Sequence, residues 1–229
     1  MFMKILCLYN NDIAIELFKW LEMTGNNICL RSERLEASWC LEQFFDLTVS
    51  YIYRYILMQD VINALNNNVV NIHNSYLPWN RGADPNIWSV LDGTPRGVTL
   101  HYIDNRLDHG DIIAQILLPQ PRSLHKSKER EAEECDKTTL LPTYNELDQA
   151  AKKLFMEAFQ YHPFWDSMRK YTKQAGSCHK SSDASALKAT INSYDISIDE
   201  FKLLIDQKRG GISQNNFCYI SGYREVCVA

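Results

Sequence analysis

The sequence predicts an α/β fold, a mainly parallel sheet with flanking helices, plus a small C-terminal helix and β-hairpin extension. Three observations carry that expectation. Short apolar runs of strand length alternate with stretches of helical periodicity up to about Tyr171, the pattern of a sheet covered by helices. An apolar run at 69–72 enters a polar turn broken by Pro78, Gly82 and Pro85, as at the ligand-bearing edge of an open α/β sheet. Residues 217–228 hold two β-rich runs around Ser221-Gly222, a hairpin signal. Domain organisation is accordingly residues 1–171 for the main unit and 172–229 for the extension.

Taken in order, residues 4–9 (KILCLY) read as a strand, and Asn10-Asn11-Asp12 form a turn that caps the next element. Ile13, Leu17 and Leu21 then recur at helical spacing. That strand–turn–helix unit carries no G-x-G-x-x-G, so a pyrophosphate has no close approach to its backbone and a nicotinamide cofactor is not expected. Residues 28–30 predict a brief strand, 47–57 (LTVSYIYRYIL) a β-branched and aromatic strand, and 59–66 a short helix. Residues 97–103 predict the strand that leads into Asp104-Asn-Arg-Leu-Asp108-His-Gly, and 116–118 a further strand. The charge run at 125–137 reads as a solvated loop. Thr143 with Glu146 forms a capping box for a helix striped by Leu147, Ala151, Leu154, Phe155 and Phe159. Residues 176–184 read as a polar loop, and Ser197 with Glu200 as a second capping box, for a helix ending near Arg209-Gly210-Gly211.

Bulk properties narrow the function classes. A formal net charge of −4 and a pI near 5.9 do not favour a nucleic-acid partner, for which a basic patch is expected. The cysteines at 7, 29, 40, 135, 178, 218 and 227 are scattered, with no C-x-x-C pair, which speaks against a zinc site or disulfide framework. That distribution fits a reducing cytoplasm. The apolar run at the N-terminus is too short for a membrane helix, so no membrane partner is expected.

The chemistry concentrates between residues 69 and 115. Alternate strand residues share a face, so Asn71 and His73 leave their strand on one side, and Asp108 stands in the turn after the next long strand. An amide donor and a protonated imidazole suit an oxyanion, each such donor being worth about 3–4 kcal/mol. A carboxylate beside the imidazole favours its charged form and can accept a proton. Ser75 reads as a hydrogen-bonding support, because no G-x-S-x-G elbow accompanies it. Ser50, Tyr51, Tyr53 and Arg54 reach the site from the end of their strand, or the tyrosines pack the core instead. Trp79 and Trp88 read as pocket walls. Arg81 either faces a diphosphate, whose geometry a guanidinium matches, or pins its own loop.

Asn71-Ile-His73-Asn-Ser75-Tyr-Leu77-Pro78 resembles the N-x-H-x-S-x-L-P motif of the 10-formyltetrahydrofolate-dependent formyltransferases, and Leu107-Asp108-His-Gly110-Asp-Ile112 resembles their L-D-x-G-x-I motif. The likeness extends to Asn80-Arg81-Gly82, to Pro85-x-x-Trp88 and to residues 138–155. The resemblance implies a Rossmann-like sheet and 10-formyltetrahydrofolate as cosubstrate, with no metal. It implies Asn71, His73 and Asp108 as catalytic residues, and a folate pocket drawn from Leu77, Pro78, Arg81, Gly82, His101 and Asp104. Tyr51, Tyr53, Arg54, Ser75, Trp79 and Trp88 are the expected substrate contacts. Trp79-Asn80-Arg81-Gly82 is similar to the loop of members that formylate nucleotide-linked amino sugars, with a dTDP-4-amino-4,6-dideoxyglucose the expected acceptor and surface polysaccharide its destination. A glycinamide ribonucleotide-type formyltransferase and a catalytically silent folate-binding protein are the alternatives. The resemblance further implies a homodimer formed through residues from about Ser197 to the C-terminus.

Overall fold

The computed structural model describes residues 2–121, 139–168 and 175–211, the last three of these by backbone alone. Six strands form one sheet: β1 (Lys4–Leu8), β2 (Asn27–Arg31), β3 (Leu47–Tyr51), β4 (Val69–His73), β6 (Arg96–Tyr102) and β7 (Ile112–Leu118), in the order β2-β1-β3-β4-β6-β7. The first four in that order run parallel, whereas β6 is antiparallel to both of its neighbours. The expected mainly parallel, Rossmann-like sheet is therefore present, with one reversed strand in it.

Alternation along the strands assigns each side chain to a face. Ile5, Cys7, Val49, Tyr51, Val70, Ile72, Val98, Leu100 and Tyr102 share one core with α1 (Ile15–Met23) and α5 (Leu140–Phe159). Leu6, Leu8 and Val69 turn the other way, into a core with α2 (Ala37–Gln43) and α3 (Gln59–Ala64). A third core joins α4 (Pro85–Asp92) to α7 (Ser181–Lys188) and α8 (Ile198–Gly211), through Ile87, Trp88, Val90, Leu140, Leu187, Ile198, Phe201 and Ile205. The segment after residue 174 thus packs directly on α4 and on the first turn of α5.

Several expectations are corrected. The strand read at 47–57 stops at Tyr51, where Ile52 takes a left-handed φ of 55°. The helix placed at Thr143 begins at Leu140, and the Thr143 hydroxyl donates back to the Leu140 carbonyl at 2.6 Å instead of capping. The supposed polar loop at 176–184 contains a two-residue strand, β8 (Cys178–His179), paired parallel with β5 (Arg81–Gly82), and the start of α7. Ser197 does cap α8, its Oγ accepting the Glu200 N–H at 3.2 Å. The charge run at 125–137 and the C-terminal hairpin at 217–228 lie outside the described residues. Among the described residues no helix is long and apolar enough to cross a membrane.

Candidate active site

β4 presents Asn71 and His73 on the sheet face opposite the α1/α5 core, in register with His101 and Thr99 of β6. Asp108 lies, as expected from sequence, in the turn after the 96–102 strand, the loop between β6 and β7, with the Tyr102 N–H donated to the Asp111 carbonyl at 2.9 Å. Gly110 allows that turn. A Cβ there would stand 1.9 Å from the Tyr102 carbonyl oxygen, closer than any side chain tolerates. Asp108 itself takes a left-handed φ of 47°, the kind of backbone strain that concentrates at functional sites.

The three predicted catalytic side chains meet around this carboxylate. His73 Nε2 lies 3.6 Å from Asp108 Oδ2, and Asn71 Nδ2 lies 3.4 Å from Asp108 Oδ1. The Gly82 N–H donates to Asp108 Oδ2 at 2.8 Å, and Arg81 Nε donates to the Asp108 main-chain carbonyl at 3.2 Å. His73 Nε2 also lies 3.1 Å from the Asn80 carbonyl, which can only accept, so the proton sits on Nε2. His101 supports the arrangement from beneath. Its Nδ1 donates to the Tyr102 carbonyl at 2.7 Å, leaving Nε2 as an acceptor for Asn71 Nδ2 at 3.3 Å. Complete burial holds the His101 imidazole below its ordinary pKa and hence neutral, outweighing the pull of Asp108. Both contacts of the Asn71 amide are long for N–H donors, so a reacting oxygen at normal distance competes for it readily.

The other predicted site residues fall into distinct places. Arg81 and Gly82 stand beside Asp108, with Arg81 pinning the loop through that carbonyl. Leu77 and Pro78 are buried, the Leu77 N–H held by Thr99 Oγ1 at 3.1 Å and its carbonyl by Gln115. Ser75 is buried with its Oγ unpartnered, and its carbonyl accepts the Thr99 hydroxyl at 2.7 Å. Trp79, partly buried, sits in the same loop with its N–H on the Tyr76 carbonyl. Asp104 is half-exposed and accepts from the Arg106 N–H at 2.8 Å. His101 is buried, with its Nε2 3.3 Å from the Asn71 amide nitrogen.

Several expected substrate contacts are not brought to the catalytic group. Tyr51 pairs with Ile72, one residue out of phase with Asn71, and so faces the opposite core, where its hydroxyl donates to Asp148 at 2.7 Å. Its neighbour Ser50 is the residue in register with Asn71. Trp88 is buried, its indole N–H on the Ala83 carbonyl at 3.1 Å and its ring stacked on His179. Tyr53 lies after β3 and donates to the Glu33 carbonyl. Arg54 is exposed beside it, its guanidinium bonded to the Tyr55 hydroxyl at 2.7 Å. The residue sequence reasoning passed over is Asn80. It stands inside the recognised loop, but its carbonyl, the part that meets His73, leaves no trace in side-chain chemistry.

No group of three His, Cys, Asp or Glu side chains among the described residues is arranged to hold a metal ion. Three orphaned polar atoms, Asn74 Oδ1, Ser75 Oγ and His109 Nδ1, belong to the two motif segments and suit a cosubstrate rich in hydrogen-bonding groups, such as a pterin.

Residues 29–130 match the formyl transferase family. A dTDP-4-amino-4,6-dideoxyglucose formyltransferase of Mycobacterium bovis is 41% identical over 71 residues, 31% of this chain and 30% of that protein. A methionyl-tRNA formyltransferase of Listeria monocytogenes is 37% identical over 92 residues, 38% of this chain and 30% of that protein. These curated relatives are thus matched over less than a third of their length. Much fuller is the likeness to the formyltransferase PseJ of Anoxybacillus kamchatkensis, solved with UDP-4,6-dideoxy-4-formamido-L-AltNAc and tetrahydrofolate. It has a TM-score of 0.70 and 32% identity, over 86% of this chain and 97% of that one. With a solved relative 32% identical and matched almost end to end, the chain belongs to the formyl transferase family.

Proposed function

We propose that the protein transfers a formyl group from 10-formyltetrahydrofolate to the amine of a nucleotide-linked 4-amino-4,6-dideoxyhexose. The observation that carries this reading is the convergence of Asn71, His73 and Asp108 within 3.4–3.6 Å, on a loop and a strand far apart in sequence. Bound folate supplies the formyl group as an acyl donor. Asn71 Nδ2 and the His73 imidazole donate to the formyl oxygen as it gains negative charge, each such contact supplying about 3–4 kcal/mol. Asp108, directly or through an ordered water, accepts the proton the attacking amine loses; as the tetrahedral intermediate collapses, the bond between the formyl carbon and the folate nitrogen breaks and that proton passes to the leaving nitrogen. Gly82 keeps the carboxylate in place while this happens.

The acceptor class rests on what two relatives have in common. The mycobacterial protein is named for a dTDP-4-amino-4,6-dideoxyglucose, and the Anoxybacillus enzyme holds a UDP-linked 4,6-dideoxy-4-formamido sugar. Both are 4,6-dideoxy sugars with nitrogen at C4. Between the nucleotides our choice is dTDP, with surface polysaccharide as the destination and the cytoplasm as the compartment. Purified protein is incubated with 10-formyltetrahydrofolate and a panel of dTDP-, UDP- and GDP-linked amino sugars, glycinamide ribonucleotide and methionyl-tRNA. Mass spectrometry should find a formyl gain on a 4-amino-4,6-dideoxy sugar nucleotide. A gain on the ribonucleotide or the tRNA alone replaces that acceptor, and a gain on none leaves a folate-binding protein.

We further propose a homodimer formed through residues from about Ser197 onward, α8 included. Light scattering at micromolar concentration should give twice the chain mass, and a monomer refutes it.

A further inference from the structure

A segment outside both motifs reaches the reacting side chains. Ser177 Oγ accepts the Asn80 N–H at 2.8 Å and donates to Asn80 Oδ1 at 3.0 Å. The same Oδ1 lies 3.3 Å from His179 Nε2, and Asn80 Nδ2 donates to Thr94 Oγ1 at 2.8 Å. Asn80 is fully buried with a left-handed φ of 54°, so its N–H and its whole side chain are spent on holding it there. The carbonyl is what remains, and it faces His73 Nε2 at 3.1 Å. A short ladder continues the clamp. The Arg81 N–H donates to the Ser177 carbonyl at 2.9 Å and the Ala83 N–H to the His179 carbonyl at 3.2 Å, which leaves the Gly82 N–H between them for Asp108. Gly82 has φ of 90°, and a Cβ on it would stand 2.2 Å from the His179 carbonyl oxygen. The His179 ring is in turn stacked on Trp88, centroids 4.0 Å apart and planes 5° from parallel.

We infer that Ser177 and His179 are positioning residues for the His73–Asp108 pair, fixing the Asn80 carbonyl on His73 Nε2 and the Gly82 N–H on Asp108. The physical reasoning is direct. An imidazole whose Nε2–H is held by a carbonyl keeps one tautomer and one ring orientation, with the Nε2–H edge turned toward Asp108. Loosening the carbonyl lets both change. Neither residue needs to touch substrate, so the effect belongs to turnover and not to binding.

The kinetic part of the test rests on the formyl-transfer reading, whereas its spectroscopic part needs no substrate. Ser177→Ala should lower kcat about tenfold with KM for both substrates within about twofold, the split expected of misplaced catalytic groups. Ser177→Thr, which restores the hydroxyl, should recover most of it. His179→Phe keeps the ring stack, loses the nitrogen, and should cost about threefold in kcat. In the substrate-free protein labelled with 15N-histidine, His73 should show a single Nε2-protonated tautomer, and Ser177→Ala should mix the two. A merely structural role would lower activity without moving the His73 signals, and that outcome overturns the inference. So does wild-type turnover in Ser177→Ala. If Ser177→Ala is insoluble, the threonine and phenylalanine variants decide by the same two readouts. If the wild-type enzyme formylates nothing offered, the acceptor reading fails while the tautomer measurement still decides this one.

Discussion

The two faces of β4 and β6 are built from interleaved residues and do different work. Val70, Ile72, Leu100 and Tyr102 point into the core under α1 and α5, all of them buried. Asn71, His73, Thr99 and His101, their immediate neighbours, point the other way into a polar network gathered around Asp108 and the loop at 75–82. A strand with period two thus separates stability from chemistry within a single stretch of chain. The face determines the role, and a residue of suitable chemistry on the wrong face contributes nothing to the site. Tyr51 is the example: aromatic, next to the site in space, and turned to Asp148 on α5.

The sharpest way to break this comparison is to remove chemistry without touching the core. His73→Asn or Asp108→Asn should lower turnover at least about a hundredfold, the scale of a lost oxyanion donor or general acid–base group. Thermal midpoints should stay within a few degrees of wild type. If both variants are folded and turn over at near the wild-type rate, the site has been placed on the wrong residues.

The converse change lies one residue from the network. Leu100→Ala, at a fully buried position, should cost about 2–5 kcal/mol in urea unfolding, the range for truncating a packed leucine. Turnover per folded molecule should be retained at a temperature where the variant remains folded. A Leu100→Ala protein of normal stability but lost turnover would show that the two faces are not separable.

Much of this division was legible in the sequence, for physical reasons that differ by element. Alternation within 69–73 and the two motifs placed Asn71, His73 and Asp108 without knowledge of the fold. Strand register is another matter, because it depends on two strands at once. Nothing in residues 47–57 says that Ser50, and not Tyr51, lies beside Asn71. Strand direction was equally hidden, so β6 was expected among parallel strands although the short 103–111 connection favours a hairpin with β7. Pro85 reads from sequence as a breaker, whereas proline at the first position of a helix is favourable and here begins α4. The clamp from Ser177 and His179 consists of a two-residue strand and side-chain contacts some 97 residues apart, too brief and too distant for any periodicity to announce.

The smallest expected effect concerns how the polar side of the molecule responds to acid. His179 is pushed down from its ordinary value near 6.5 to about 4, because burial penalises its charged form more than Asp183 stabilises it. Burial likewise lowers His101, His109 and His162, with Arg81 and Arg106 adding to the effect at His109. Each of these rings takes up a proton more readily in the unfolded chain than in the folded one. Between about pH 6.5 and 4 the unfolded state therefore binds more protons at His179, and stability must rise with pH through that window. The contribution is complete above 6.5 and is lost as the pH falls. Urea midpoints measured from pH 7.5 to 4.5 should accordingly decline on the acid side. His179→Phe, which keeps the stack on Trp88 but has nothing to protonate, should decline less steeply. The carboxylates titrate in both proteins, so the difference between the two curves isolates His179. Parallel curves would mean that His179 is protonated as easily in the folded protein as in the unfolded chain, and that the polar side is less well shielded from water than its hydrogen bonds imply.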